Sequence, residues 1–169
     1  MFGLGQPVPR TEDPRLLTGR GQYVSDVNFS DQACAFTFRS PVSHAKIKSI
    51  NIEVASSKPG VLKIYLAEDI ENAGLGVTKP HFPPRTRPSD GSHEYWLSHP
   101  GLVSDHIKMI GDPIAFVVAE TIDEAKDAAE YISIEFDELP SVTSTSLATD
   151  PSSPQLYDNF PNNISNIFN

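Results

Sequence analysis

Five stretches of the sequence show the hydrophobic pattern of β-strands. Residues 33–40 (ACAFTFRS) alternate between apolar and polar side chains, with Cys34, Phe36 and Phe38 on one face. Such alternation is typical of a strand that is buried on one side. The other stretches are residues 45–55, which run from a strand into a short helical turn, residues 61–67, the almost continuous apolar run at 114–119, and residues 133–140. The run at 114–119 predicts a strand covered on both faces.

A helix is predicted between the last two of these strands. Thr121 can cap it, and Glu124, three residues later, completes a capping box. Apolar side chains then recur at helical spacing, at Ile122, Ala125, Ala128, Ala129 and Ile132. A second, shorter helix is predicted at 67–74, where Gly74 ends it.

Proline clusters separate the predicted elements into three regions. Residues 1–22 predict an extended or looped N-terminal arm, and residues 23–140 predict the main domain. Within that domain, residues 75–104 predict a long loop. After the domain, residues 141–169 are rich in Ser, Thr, Pro and Asn and predict a linker. A strand, a helix and a strand in close succession favour a helix packed on one face of a mixed sheet, so the predicted class is α+β.

Composition narrows the functional classes. The 169 residues carry a formal net charge of −9, which disfavours binding to phosphate backbones and therefore to nucleic acid. No apolar run approaches the ~20 residues that cross a bilayer, and the N-terminus lacks a secretory pattern, so no membrane insertion and a cytoplasmic location are expected. Cys34 is the single cysteine, which excludes an internal disulfide and a multi-cysteine metal site.

The segment TGRG at 18–21 raises the question of a phosphate-binding loop. It lacks the Gly-Lys-Ser/Thr ending of such loops, and no strand is predicted before it, so a turn is favoured. Arg15 and Arg20 remain free to pair with the carboxylates of Glu12, Asp13 or Asp26, or with a partner surface.

The candidate nucleophiles and metal ligands favour structural roles. Cys34 shares its strand face with two phenylalanines, and apolar surroundings blunt a thiol's reactivity, so buried packing is predicted. His93, His99 and His106, with Asp90, Glu94 or Asp105, are a weak candidate for zinc. Solvated loop positions are preferred for the histidines, which are His44, His81, His93, His99 and His106.

Other polar groups also give no catalytic centre. No serine lies in a GxSxG turn, and pairs such as Glu12-Asp13 and Asp137-Glu138 fall where carboxylates are usually solvated. No catalytic, cofactor-binding or metal-binding residue is therefore assigned. Tyr95 and Trp96, with Leu97, predict an apolar contact made by the long loop.

The sequence as a whole resembles a known family. Residues 5–27 (GQPVPRTEDPRLLTGRGQYVSDV) resemble the opening of the molybdenum-binding large subunit of the molybdenum hydroxylases, which include aerobic carbon monoxide dehydrogenases, xanthine dehydrogenases and aldehyde oxidases. The resemblance continues in order through residues 38–61, 110–142 and 156–164. The RTEDPR opening is most similar to the carbon monoxide dehydrogenase branch.

The resemblance implies a fold and a context. This part of such subunits is an α/β hammerhead domain, and the molybdenum–pyranopterin (molybdopterin cytosine dinucleotide in most bacterial members) is held by the longer region that follows. No cofactor is therefore expected in residues 1–169, and 141–169 would lead toward that molybdenum-binding region. The implied partners are that region of the same subunit and the flavin and iron–sulfur subunits of the complex.

Three functions are compared on this basis. The first is a structural and assembly domain of a molybdenum hydroxylase large subunit, an oxidoreductase, with residues 1–169 alone inactive because the chemistry needs the metal centre. The second is a free-standing small-molecule or protein-binding module that has lost its catalytic region and binds through residues 75–105. The third, a metal enzyme in its own right, would need zinc or iron held by loop histidines.

Overall fold

A computed structural model of the chain describes residue 5, residues 7–78, residue 97, residues 99–158 and residues 160–165. Two compact units are distinguished, residues 1–32 and residues 33–169. The α-helices are α1 (Asp13–Leu17), α2 (Glu53–Ser56), α3 (Ala67–Asn72), α4 (Ile122–Ala129) and α5 (Thr145–Ala148), with 3₁₀ turns at Val24–Asp26 and Pro161–Asn163. The strands are β1 (Cys34–Arg39), β2 (Ala45–Asn51), β3 (Val61–Tyr65), β4 (Val77–Thr78), β5 (His99–Pro100), β6 (His106–Ile107), β7 (Pro113–Ala119) and β8 (Ser133–Glu138).

The first unit contains a helix where the sequence predicted an extended or looped arm. Pro14 lies in the first turn of α1, where its fixed φ suits the helix and its missing N–H removes no hydrogen bond. The helix is short and has no buried residue, so the sequence shows no apolar periodicity that would predict it. No described residue of 5–32 is buried, and Leu17 and Val24 are 85% and 93% exposed.

The second unit is built on two three-stranded sheets and a short ladder. The strand orders are β1-β7-β3, β6-β2-β8 and β4-β5. All the ladders that the structure describes are antiparallel, and β7 and β8 lie in different sheets. The α+β class is confirmed, but the strand–helix–strand unit joins two sheets rather than completing one mixed sheet.

The strand β7 is the centre of the core. It pairs with β1 along one edge and with β3 along the other, and Ala115, Val117 and Ala119 are fully buried. The helix α4 packs on it through Ala125, Ala128 and Ala129, whose small side chains allow the helix axis to come close to the strands. The run at 114–119 is the central strand of its sheet, but Phe116 is 38% exposed, so the cover predicted on both faces is incomplete on one of them.

A second cluster extends the core toward the other sheet. Ala45, Ile107 and Ile114 are fully buried in it. Phe38, Ile50 and Ile134 pack against both clusters and so connect them. The core of this unit is therefore continuous across the two sheets.

The capping box of α4 forms as predicted. Glu124 N–H donates to Thr121 Oγ1 at 3.2 Å, and Thr121 N–H donates to Glu124 Oε2 at 3.0 Å. Gly60, in the left-handed region at φ +73°, lies so close that a Cβ there would collide with the Glu124 carboxylate. Its carbonyl also accepts a hydrogen bond from Glu120 N–H at 2.9 Å. A larger residue at this position would therefore have to move the Glu124 side chain that caps α4.

The long loop predicted at 75–104 is more structured than expected in its described parts. Residues 77–78 pair with residues 99–100, and Leu102 and Val103 are buried. Tyr95 and Trp96 lie outside the described residues. In the part of the chain that the structure describes, no helix has the length and apolar character to cross a membrane.

Gly60→Ala is expected to destabilise the fold more than Gly74→Ala. Both glycines have left-handed φ, +73° and +68°, so both variants incur the ~1 kcal/mol that this region costs an L-residue. Gly74 has open space around its added methyl, whereas at Gly60 the methyl must displace Glu124 from the helix cap, which costs about 1 kcal/mol more. Urea unfolding followed by circular dichroism measures the difference. Equal losses in the two variants would contradict the contact with Glu124.

Candidate functional site

The TGRG segment forms the turn that ends α1. Gly19 N–H donates to Leu16 O at 3.1 Å, and Arg20 N–H donates to Arg15 O at 2.9 Å. The Arg20 guanidinium donates to Thr18 Oγ1 at 3.0 Å. Within the described residues, neither Arg15 nor Arg20 forms the ion pair with Glu12, Asp13 or Asp26 that the sequence left open. A turn is therefore the role that the structure gives this segment.

Cys34 lies on β1 opposite Ala119 and is half-buried. Its neighbours Phe36 and Phe38 pack against the main core, as the strand pattern predicted. The thiol is less enclosed than the predicted buried position.

The histidines separate into three groups. His81 and His93 lie outside the described residues, and His99 is exposed on β5. His44 and His106 are different, because their rings stack with centroids 5.2 Å apart and planes 17° apart. His44 is 7% exposed, so the prediction of solvated histidines is wrong for this residue. Across the described ranges, no three His, Cys, Asp or Glu side chains come together as a metal site.

Strand register brings the stacked histidines together. Lys46 of β2 pairs with His106 of β6, which places His44 beside the same ladder. His44 Nδ1 lies 2.7 Å from Pro140 O, and because a carbonyl only accepts, Nδ1 carries the hydrogen of this bond. The Nε2 atoms of both rings are buried and have no hydrogen-bond partner among the described atoms.

Burial and neighbouring charge disfavour protonation of His106. Burial is the main cause that lowers the pKa of His106 below its ordinary value of 6.5. His44 and Lys108 lower that pKa further, while Asp105 and Asp158 oppose them. The His106 ring is thus disfavoured as a cation where a free imidazole would begin to take up a proton.

A groove of about 470 Å³ opens beside His44. Its walls come from residues 43–44, residues 108–110, residues between 140 and 148, residues between 154 and 165, and Leu97. Most of its lining is apolar, and we call it the apolar groove. Its volume and its mostly apolar lining with a few polar groups are typical of binding sites, so it is the candidate functional site.

The wall at 108–112 is fixed by one carboxylate. Asp112 Oδ2 accepts hydrogen bonds from Lys108 N–H at 2.7 Å and from Met109 N–H at 3.1 Å. The Lys108 ammonium lies 4.2 Å from the centroid of the Tyr157 ring, a cation–π contact. Burial raises the pKa of the Tyr157 hydroxyl, and the negative charge of Asp112 raises it further.

The wall at 154–165 is held by Asn163. Its Oδ1 accepts from Leu156 N–H at 2.8 Å, and its Nδ2 donates to Ala148 O and Pro154 O, both at 3.0 Å. Asn163 has a left-handed φ of 55°, which asparagine tolerates better than most residues. Tyr157 and Phe160 pack edge to face, with ring centroids 5.7 Å apart. The region predicted as a linker therefore has a defined conformation over its described residues.

Sequence reasoning missed this groove because its walls are distant in the chain. The apolar Leu156, Tyr157 and Phe160 within a polar, proline-rich tail were the available signal. They were interpreted through the family resemblance and not as a surface. Phe160 is 4% exposed, which a solvated linker would not produce.

Comparison with known proteins places the fold. The family model described as "Aldehyde oxidase and xanthine dehydrogenase, a/b hammerhead domain" matches residues 18–140. The large subunit of nicotine 6-hydroxylase from Paenarthrobacter nicotinovorans is 37% identical over 136 residues, which are 80% of this chain and 16% of that subunit. The xanthine dehydrogenase molybdenum-binding subunit of Escherichia coli O157:H7 is 33% identical over 132 residues, 78% of this chain and 17% of that subunit.

Solved structures give the same result. Quinoline 2-oxidoreductase from Pseudomonas putida 86 superposes with a TM-score of 0.76 at 34% identity, covering 91% of this chain and 18% of that chain. A Cu,Mo-CO dehydrogenase superposes with a TM-score of 0.74 at 28% identity, covering 90% and 18%. The chain thus spans less than a fifth of the length of each of these relatives.

The fold is expected to lose stability as the pH falls below about 6.5 because of His106. Its folded pKa is lowered, so the unfolded chain takes up a proton first, and the free energy of unfolding decreases between 6.5 and the lowered folded value. Urea unfolding at about pH 7.5 and about pH 5.5 measures this loss. The loss should be smaller in His106→Gln and unchanged in the exposed control His99→Gln. If stability depended on pH equally in the unchanged protein and in both variants, His106 would not be the cause of the loss.

Asn163→Ala is expected to loosen the groove wall, and Asn162→Ala serves as the matched control. Both residues have left-handed φ, 55° and 53°, but Asn162 is exposed and makes no side-chain hydrogen bond within the described structure. Each lost hydrogen bond costs about 1 kcal/mol, and Asn163 makes three. The Leu156 amide should therefore exchange with deuterium much faster in Asn163→Ala than in Asn162→Ala. Similar exchange rates in the two variants would show that the three side-chain hydrogen bonds of Asn163 do not hold this wall of the groove.

Proposed function

The chain belongs to the a/b hammerhead domain family of aldehyde oxidases and xanthine dehydrogenases, and on that premise we propose that it is the structural and assembly domain of a molybdenum-dependent hydroxylase large subunit. In this role the domain packs against the rest of the subunit and contributes to its shape around the active site. The reaction class of the whole protein would be oxidoreductase. The proposal concerns the parent subunit, and residues 1–169 alone would be inactive.

One observation carries the proposal. The chain aligns over four-fifths of its length with proteins named as large or molybdenum-binding subunits, yet it spans only 16% and 17% of them. The domain is a small part of each relative and has the same fold in the solved ones. This supports a structural role that the subunits share, and not the substrate-specific activity of any one of them.

The described residues offer little to hold a metal cofactor. No three potential ligands converge among them. The rings of His44 and His106 are stacked face to face, so their nitrogen lone pairs do not converge on one point as metal ligands would. We therefore assign no cofactor ligand here and derive no catalytic step. The proposed molybdenum–pyranopterin, as molybdopterin cytosine dinucleotide, would be held by the remainder of the subunit, and it would supply the redox chemistry.

The proposed partners follow from the same premise. The first is the molybdenum-binding region of the same subunit, and the others are flavin and iron–sulfur subunits. One relative is named "6-hydroxypseudooxynicotine dehydrogenase complex subunit gamma", which supports a multi-subunit setting. Relatives are named for nicotine, xanthine and carbon monoxide, so the family alone favours no single substrate for this protein. A cytoplasmic location is the expectation from composition.

A free-standing binding module is the second candidate, and the apolar groove favours it. A volume of about 470 Å³ lies within the range of small-molecule sites, which are typically apolar with a few polar groups. This candidate was predicted to bind through residues 75–105, and among the described residues of that segment the groove includes Leu97 alone. The two candidates differ in whether this domain is part of a longer subunit in the cell or exists there alone.

The native polypeptide is expected to be several times heavier than 18.5 kDa and to contain about one molybdenum per chain. Intact-mass and metal analysis of protein purified from its source measures both quantities. Growth with tungstate in place of molybdate is the control, and it should remove the molybdenum without changing the chain mass. A native mass near 18.5 kDa without molybdenum would overturn the proposal and favour the binding module.

A further inference from the structure

We propose that the segment Ser141–Thr143 accepts an added β-strand in the apolar groove, and that the strand is an extended, apolar segment from the remainder of the same large subunit. This inference rests on the proposed function, because it takes that remainder as the occupant. It adds a specific mode of attachment, which is main-chain hydrogen bonding along one exposed edge.

The first argument is the conformation of the segment. From Leu139 to Ser144 the chain runs without a turn or a bend, and Ser144 has the extended angles φ −124° and ψ 128°. Exposure alternates along it, with Ser141 and Thr143 exposed and Val142 and Ser144 half-buried. Period-two alternation is the pattern of a strand with one face against the protein.

The second argument is the state of its backbone. Leu139 N–H still donates to His44 O at 2.9 Å, and Pro140 O still accepts from His44 Nδ1 at 2.7 Å. Beyond this point the described structure gives no hydrogen bond to the backbone of Ser141, Val142 or Thr143. The segment thus continues β8 past the end of β2 as an unpaired strand, and such an edge is a template for pairing with another chain.

The third argument is the chemistry of the adjacent walls. The described residues that line the groove include no Asp or Glu, although the chain has 22 of them, and Lys108 is the one fully charged residue among them. The Lys108 ammonium already lies over the Tyr157 ring. Val142, Met109 and Leu156 provide apolar contact on different walls. An added strand with apolar residues at alternate positions therefore fits better than a charged one.

The choice of occupant follows from the relatives. In the solved structures the matching region is 18% of a much longer chain, so most of each subunit lies outside the hammerhead match. A segment covalently tied to the domain is present at high effective concentration, which favours it over a free partner. A second copy of this chain is the competing occupant, and the test distinguishes it.

Deuterium exchange at the three amides tests the proposal. Exchange at Ser141, Val142 and Thr143 is compared between the native, molybdenum-containing subunit and the 169-residue chain expressed alone. The expected result is exchange at least about 100-fold slower at one or two of these amides in the native subunit. Exchange at Ser152, whose amide bonds to Asp150 within a local turn, is the internal control and should change little.

Proline variants of the native subunit provide a second measurement. Successive N–H groups of a strand point to opposite edges, so Ser141→Pro and Thr143→Pro remove donors from one edge and Val142→Pro removes a donor from the other. If a strand is added along one edge, only one of these two classes should release the protection of the neighbouring amides. Loss in all three variants, or in none, would overturn the proposal.

The outcomes separate the two hypotheses. A long, molybdenum-containing subunit whose 141–143 amides exchange as fast as in the isolated chain would overturn strand addition and leave the proposed function intact. A native protein of 18.5 kDa without molybdenum would overturn both. Protection that appears in the isolated chain and rises with its concentration would identify a second copy as the occupant and overturn the assignment made here.

Discussion

The close packing of α4 on β7 is the constraint on which the second unit depends. Three alanines of the helix and two of the strand are almost completely buried at this contact, so the backbones approach closely and a larger side chain would have no room. Because β7 pairs on both edges, its position also sets the positions of β1 and β3. The cap formed by Thr121 and Glu124 then fixes where the helix begins, and Gly60 adapts the neighbouring turn to that cap.

The sequence predicted the elements whose signals are local. The capping box is defined by two residues three positions apart, and the strand at 114–119 by a continuous apolar stretch. Both features could therefore be predicted without a structure. The contacts of His44 were not, because its partners His106 and Pro140 are brought to it by strand register and chain reversal. The three hydrogen bonds of the Asn163 side chain were equally unpredictable from sequence. They depend on a left-handed backbone angle that asparagine permits but does not require.

The family resemblance and the residue-level interpretation contributed different information. The resemblance identified the hammerhead domain, which the family model and the solved structures confirm. Residue patterns alone gave the α+β class but placed two strands from different sheets in one mixed sheet. Neither approach found the groove, because its walls combine a β-edge, the loop at Lys108 and the proline-rich tail. Surfaces assembled from distant segments are where tertiary structure adds most to sequence reasoning.

The unpaired strand at 141–143 also bears on aggregation. Exposed edges can template fibrils, but such templates need about six consecutive β-prone residues without proline. Here Pro140 lies on one side of the edge and α5 begins at Thr145 on the other, so the uncharged, pairable stretch is too short to propagate. The same brevity still leaves enough backbone for one partner strand. The segment 141–143 thus leaves backbone groups open for pairing without the length that templating of fibrils requires.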